Sequence, residues 1–312
     1  MNATPMTGEV REARAPRESG RLMLMLIRRE YWEHRALWIA PLVVAACVLL
    51  GALFGGVNSG EIVPATAADR HALFGLAIWT FGLPLYITLS IVIWFYAADC
   101  LYADRKDRSV LFWKSLPVSD TKTVLSKFLV ATVTAPLLFF AVNVVMDVFV
   151  VVIWELRALA GWVPAFWFDA ATWLRVEWLG LLWVITGSLW FAPVIAYLML
   201  VSAWARRNVS LWVLIPPLLL MLIELLALHT HYLWNVFKYR FTAHGAQMMG
   251  ALSFMGDLAG QHAPGRQSFA QLVYSHLDPT PLLANVDLWL GLALAAGLIY
   301  ATIRVRRSRE EG

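Results

Sequence analysis

The sequence predicts an all-α polytopic membrane protein: six transmembrane helices, an N-terminal interfacial helix and a short cytoplasmic helix between spans 2 and 3. Three observations carry this. Hydrophobic residues make up 60% of the 312 and charged residues 15%, with mean hydropathy +0.65, too little polarity for a soluble domain of this length. Six apolar runs are separated by charged loops. Many of the 16 tryptophans (Trp38, Trp154, Trp178, Trp204, Trp212, Trp289) fall near the ends of those runs, where an amphipathic ring prefers the headgroup layer.

Taken in order, Met1 to Gly20 is polar, rich in Arg and Glu and aperiodic, which predicts a disordered cytoplasmic tail ahead of a single transmembrane domain over residues 21–312. Its length and its acids distinguish it from a cleaved signal peptide. Arg21 to Arg35 predicts an interfacial helix, its apolar Leu22 to Ile27 giving way to Arg28, Arg29, Glu30 and the belt residues Tyr31 and Trp32. The spans follow at Leu37 to Val57, Leu73 to Ala97, Phe128 to Trp154, Trp178 to Trp204, Leu211 to Leu228 and Leu288 to Ile303. Most reach the ~20 residues that a bilayer requires, and the last needs its flanks. With the N-terminus inside, 19 of the 25 Lys and Arg residues fall on the cytoplasmic side, which orients both termini there. The same distribution accounts for the net charge of +4 through membrane-flanking loops and lipid, without nucleic acid.

The predicted external loops are Asn58 to His71, the Trp-rich Glu155 to Glu177, and His229 to Asp287. The last is too long for a structureless connection, and its apolar stretch Ala243 to Leu258 predicts an interfacial or re-entrant helix capping the last two spans. Prolines recur inside the spans (Pro41, Pro84, Pro136, Pro193, Pro216, Pro217), where they bend helices and free carbonyls at depth.

Asp104 to Phe128 is the charged interruption with the most internal pattern. Behind Asp104 to Arg108, the residues Val110, Leu111, Phe112, Trp113 and Leu116 share one face of a short helix that Pro117 stops. Ser119 then caps a second helix, with Asp120 in its first turn, that runs through Lys127 into span 3. A helix of about eight residues is below the ~12–15 needed for marginal stability in water, so the first one must rest on a membrane surface or a partner protein.

No motif for covalent chemistry is present: no GxxxxGK[ST], no HExxH and no paired Cys-x-x-Cys. His229, His231, His244, His262 and His276 lack metal-ligand spacing, and Cys47 and Cys100 imply neither a disulfide nor a metal. The chain therefore reads as a non-enzyme without a cofactor or metal of its own. The polar residues of interest lie at depth. Asp147 shares a helical face with Asn143 in span 3, and Glu224 sits in span 5. A carboxylate facing lipid is expensive, so each should face the interior and be paired or protonated. A structural hydrogen bond and a place in a translocation path are the two readings for Asp147, Asn143 and Glu224. Gly51-x-x-x-Gly55 in span 1 is a small-residue face suited to a dimer contact or to a neighbouring helix.

RREYWEHRALWIAPL (Arg28 to Leu42) resembles the start of type-2 permease subunits of ATP-binding-cassette (ABC) exporters. DRSVLFWKSLPVSDTKTVLSK (Asp107 to Lys127) resembles their loop between spans 2 and 3, and the six-span layout is similar as well. The resemblance implies that Ser109 to Leu116 is a coupling-type helix, with Val110, Leu111, Phe112, Trp113, Lys114 and Leu116 docking on a separate cytoplasmic ABC ATPase. It further implies a second permease subunit, identical or related, ATP and magnesium bound by the ATPase, and a plasma (bacterial inner) membrane location. The long loop between spans 5 and 6 departs from the pattern. The alternative reading is a membrane scaffold or sensor component that recruits a cytoplasmic protein without moving a solute.

Overall fold

The computed structural model describes residues 9–55, 67–106, 119–162, 168–243 and 280–310. These are helical, with no strand among them. We number the helices α1 (Glu9–Glu33), α2 (Ala36–Phe54), α3 (Ala67–Lys106), α4 (Asp120–Leu159), α5 (Ala170–Trp204), α6 (Val209–Leu228), α7 (232–243) and α8 (Val286–Glu310), with a single turn at Thr280–Leu283 before α8. Six of them, α2 to α6 and α8, are long and apolar enough to cross a membrane. The chain is an all-helical, multi-pass membrane protein.

Five of the six membrane helices run longer than hydropathy predicts; α2 corrects the expected span Leu37 to Val57, ending at Phe54 where Gly55 turns extended. At 1.5 Å per residue the 40 residues of α4 reach about 60 Å, twice the hydrocarbon thickness, so its ends project past the apolar zone. Local caps account for several of the extensions. Asp169 accepts from the Thr172 backbone N–H at 2.8 Å and its hydroxyl at 2.6 Å, starting α5 at Ala170. The expected external loop from Glu155 to Glu177 is thereby shortened to the residues between Leu159 and Ala170, and Glu177 moves into the bundle. These hydrogen bonds hold the Asp169 carboxyl below its ordinary range. Ser119 caps α4 as predicted, accepting from the Lys122 backbone N–H at 3.4 Å.

α1 corrects the expected tail, since the helix already runs from Glu9; Ala, Arg and Glu are strong helix formers and carry it forward. Within the excursion from His229 to Asp287, α7 occupies 232–243. The remainder of the predicted Ala243 to Leu258 segment lies outside the described residues. Among the described residues the Gly51-x-x-x-Gly55 face meets no neighbour at Gly51, where nothing lies within 4 Å of an added Cβ, and Gly55 is the C-cap of α2, donating to the Gly51 carbonyl at 2.7 Å.

α5 is the central helix, with 61% of its apolar stretch buried between α3 on one side and α8 on the other. α6 lies at the edge with 11% buried, its Leu218, Leu219, Leu222, Ile223 and Leu226 turned outward. Of the six tryptophans near the span ends, five are exposed as a headgroup belt requires. Trp154 is buried against Phe81 and under the Arg157 guanidinium. One apolar cluster, around Phe74, Trp79, Phe139, Met146 and Trp183, fills one end of the bundle. The other, around Leu37, Tyr96, Leu101, Val124 and Met199, fills the end from which Lys106 and Asp120 project.

The α-helical ladder of α4 is interrupted at Val130–Thr134, which is π-helical, with the Ala135 N–H donating to the Val130 carbonyl. Pro136 follows directly, lacking an N–H and crowding the carbonyl four residues back; a wider turn relieves that clash. The Thr132 hydroxyl compensates by donating to the Phe128 carbonyl at 2.8 Å.

Candidate functional site

The predicted docking residues Val110, Leu111, Phe112, Trp113, Lys114 and Leu116 lie outside the described residues, but the two helix ends from which their segment springs do not. α3 ends at Lys106 and α4 begins at Asp120, and both roots enter one buried ionic lattice. At its centre Lys127 of α4 is wholly buried. Its ammonium lies 2.8 and 2.9 Å from the two carboxylate oxygens of Glu30 on α1, and 3.4 Å from Asp104 on α3. Tyr96 donates to the same Glu30 at 2.9 Å. Asp104 also meets Arg29 of α1 and Arg306 of α8, each at 3.5 Å, and Arg306 reaches Asp120 at 3.3 Å. Arg105 donates to the carbonyls of Ser202 and Ala205, closing the C-terminus of α5 where its dipole favours a cation.

An ammonium buried between two carboxylates is stable only because both partners are in place; desolvating any of them alone costs several kcal/mol. The lattice therefore acts as one unit joining α1, α3, α4 and α8, with Arg105 adding α5. His34, at the α1–α2 junction, packs edge-on against Tyr96 and lies 4.0 Å from Glu30. Burial pushes its imidazole below the ordinary range, with the Glu30 charge opposing.

A second polar group lies within the first apolar cluster. The structure joins Asn143 to Asp147 as their spacing predicts, the Asn143 amide donating at 2.7 Å, and adds a residue the sequence reading left out. Glu177 of α5 faces Asp147 within hydrogen-bond reach. Asn143, Asp147 and Glu177 line a cavity with Ile78, Trp79, Gly82, Tyr86, Val176 and Gly180, and each has an oxygen without a hydrogen-bond partner in the protein. The glycines make the room: a Cβ on Gly82 would stand 2.6 Å from the Asn143 oxygen, and one on Gly180 3.3 Å from the Tyr86 hydroxyl. The signal for Glu177 was the Asp169-x-x-Thr172 cap, which places it two turns inside a helix with Gly180 one turn on.

Glu224 belongs to neither group. Its carboxylate accepts from the Thr230 hydroxyl at 2.7 Å and from the backbone N–H groups of Tyr232 and Leu233 at 2.6 and 2.8 Å, which caps α7. As expected it is buried and satisfied, but its partners lie in the turn that follows its own helix. α7 is clamped at its far end as well. Arg240 stacks on the Trp190 ring at 4.5 Å, and the Trp190 indole donates to the Arg240 carbonyl at 2.7 Å. Burial lowers the Arg240 guanidinium pKa from its ordinary value.

Fold and lattice together define a helical membrane protein in which the end of α3 and the start of α4 are rooted in buried charge. Among known proteins, no family model and no curated protein matches the chain.

Proposed function

We propose that this chain is the permease subunit of an ABC exporter in the plasma (bacterial inner) membrane, with both termini cytoplasmic. It works as a dimer with an identical or related chain and forms the translocation path. Separate cytoplasmic ATPases bind ATP and magnesium and perform the hydrolysis, so this chain is not itself the enzyme. The observation that supports this best is the rooting of residues 107–118. A force applied to that loop by a docked protein enters α3 at Asp104 and α4 at Asp120 and Lys127, and the lattice passes it to α1 and α8 as one body. A loop that only tethered a cytoplasmic protein has no need of such a foundation.

In this reading Phe112 or Trp113 fills a pocket on the ATPase, and a buried aromatic anchor is often worth ~2 kcal/mol or more. Lys114, Lys106 and Arg108 supply orientation and association rate, while Arg105 is engaged on the α5 carbonyls. The test compares Phe112→Ala and Trp113→Ala with Trp113→Leu for ATPase copurification and coupled hydrolysis in membranes. Weakened assembly or uncoupled hydrolysis in an alanine variant that still inserts supports docking. Full binding and coupling in all three returns the scaffold reading. Topology is checked separately by single-cysteine labelling after replacing Cys47 and Cys100. Labelling of Ser109→Cys from outside intact cells contradicts the orientation.

A further inference from the structure

The carboxyl group within the bundle lacks what the ionic lattice has in abundance, a cation. Among the described residues neither Asp147 nor Glu177 forms an ion pair, although they are 1% and 8% exposed. The only other titratable side chain lining their cavity is Tyr86 of α3; its hydroxyl and the unpartnered Trp79 indole N–H are neutral donors there, and α3, α4 and α5 bring no positive charge to the lining. Asn143 is 5% exposed, and its amide N–H is already committed to Asp147, which leaves its carbonyl oxygen as a further acceptor.

Three acceptor oxygens, from Asn143, Asp147 and Glu177, thus face a space of about 10 Å³, the room for one water-sized particle. A proton shared between the carboxyls serves two of them and leaves the third. A shared proton together with a neutral water reaches all three but leaves one negative charge at depth without compensation. A monocation with three or more contacts satisfies all three oxygens and offsets charge in the same step.

We propose that Asp147, Glu177 and Asn143 form a binding site for one sodium ion between α3, α4 and α5. It is held by an oxygen cage with excess negative charge. Two carboxylates and one amide fall short of the six to eight oxygens of a calcium site, and no cluster of three or more His, Cys, Asp or Glu that could hold a metal ion occurs among the described residues. Glycine at 82 and 180 keeps the cage open, since a methyl group at either position would press on Asn143 or Tyr86. The proposal stands apart from the exporter reading, because the site lies wholly within this chain.

The test uses the purified full chain in lipid nanodiscs and needs no ATPase. Sodium chloride replaces choline chloride at constant ionic strength and alkaline pH, and thermal unfolding is followed by tryptophan fluorescence. A sodium site gives a saturable rise in Tm of several degrees, since a ligand that binds only the folded state stabilises it by mass action. Equilibrium dialysis with radiolabelled sodium then gives one ion per chain. A rise in Tm on mild acidification with no sodium response is protonation of the carboxyls alone and overturns the sodium site. Asp147→Asn and Glu177→Gln must abolish the sodium response; both are isosteric and leave less buried charge, so folding is retained. Direct sodium binding by the wild type remains readable even if a variant fails to insert. If wild type and both variants respond identically to sodium and to pH, the site does not exist.

Discussion

Replacing Lys127 with methionine removes the centre of the ionic lattice and keeps its volume. The ammonium is wholly buried with three carboxylate oxygens at 2.8 to 3.4 Å, so the variant strands negative charge out of water. Breaking a buried pair from one side costs about 3–5 kcal/mol. The loss falls unevenly: Asp104 keeps Arg29 and Arg306, whereas among the described residues Glu30 keeps the Tyr96 hydroxyl at hydrogen-bond distance and His34 at 4.0 Å. Lys127→Met should therefore be the most destabilising change. Glu30→Gln comes next because Asp104 still serves the lysine, and Asp104→Asn is mildest because the Glu30 pair survives intact. Adding Glu30→Gln to Lys127→Met should recover about 2 kcal/mol or more, the coupling that a double-mutant cycle isolates. Equilibrium unfolding in mixed micelles at neutral pH measures all four variants. Additive losses, or a Lys127→Met loss below about 1 kcal/mol, would refute the claim that the lattice behaves as one unit.

His34 is held neutral by burial in the fold but takes up a proton near pH 6.5 when unfolded, so the folded state binds fewer protons below that pH. Stability should accordingly decline as the pH falls through 6.5, and His34→Phe, which can keep the edge-on stack with Tyr96, should make that decline shallower. Arg240→Ala should loosen α7 by about 1–2 kcal/mol through the lost stack on Trp190, seen as faster hydrogen exchange across 232–243 with α5 unchanged. Gly291→Ala should have the same local signature from the opposite side, because a methyl group there collides with the Arg240 guanidinium. Protection of α7 that is unchanged in both variants would dissociate it from that clamp.

The six membrane helices were legible because the bilayer imposes length and hydropathy on every span in the same way, and the Ser119 cap because its partners lie within one turn. Asp147 with Asn143 was legible for the same reason of short spacing. The lattice was not: Glu30, Asp104, Lys127 and Arg306 are scattered along the chain, and each alone looks like an ordinary charge at a span end. Glu177 was hidden by composition, since a Trp-rich, charged stretch imitates an external loop until the Asp169 cap is weighed. For Glu224 the expectation of a satisfied interior carboxylate holds, while its partners, backbone N–H groups of α7, could be found only by placing a helix in the long excursion.

The π-helical stretch Val130–Thr134 divides α4 between its two polar stations, Lys127 on one side and Asn143 with Asp147 on the other. Such a stretch holds one residue more than the α-helical ladder needs, and a residue is worth about 100° of azimuth. The wider turn absorbs the extra residue's azimuth, so the lattice at one end and the carboxyl pair at the other keep their faces while α4 remains a single rod. Changes of length in this protein are for that reason not equivalent by position. A one-residue deletion within 130–134 that restores regular winding removes the surplus residue and leaves Asp147 facing Glu177, whereas a one-residue deletion at 137–142 turns Asp147 about 100° out of phase with Lys127. The same deletion in the loop between Leu159 and Ala170 leaves that phase untouched.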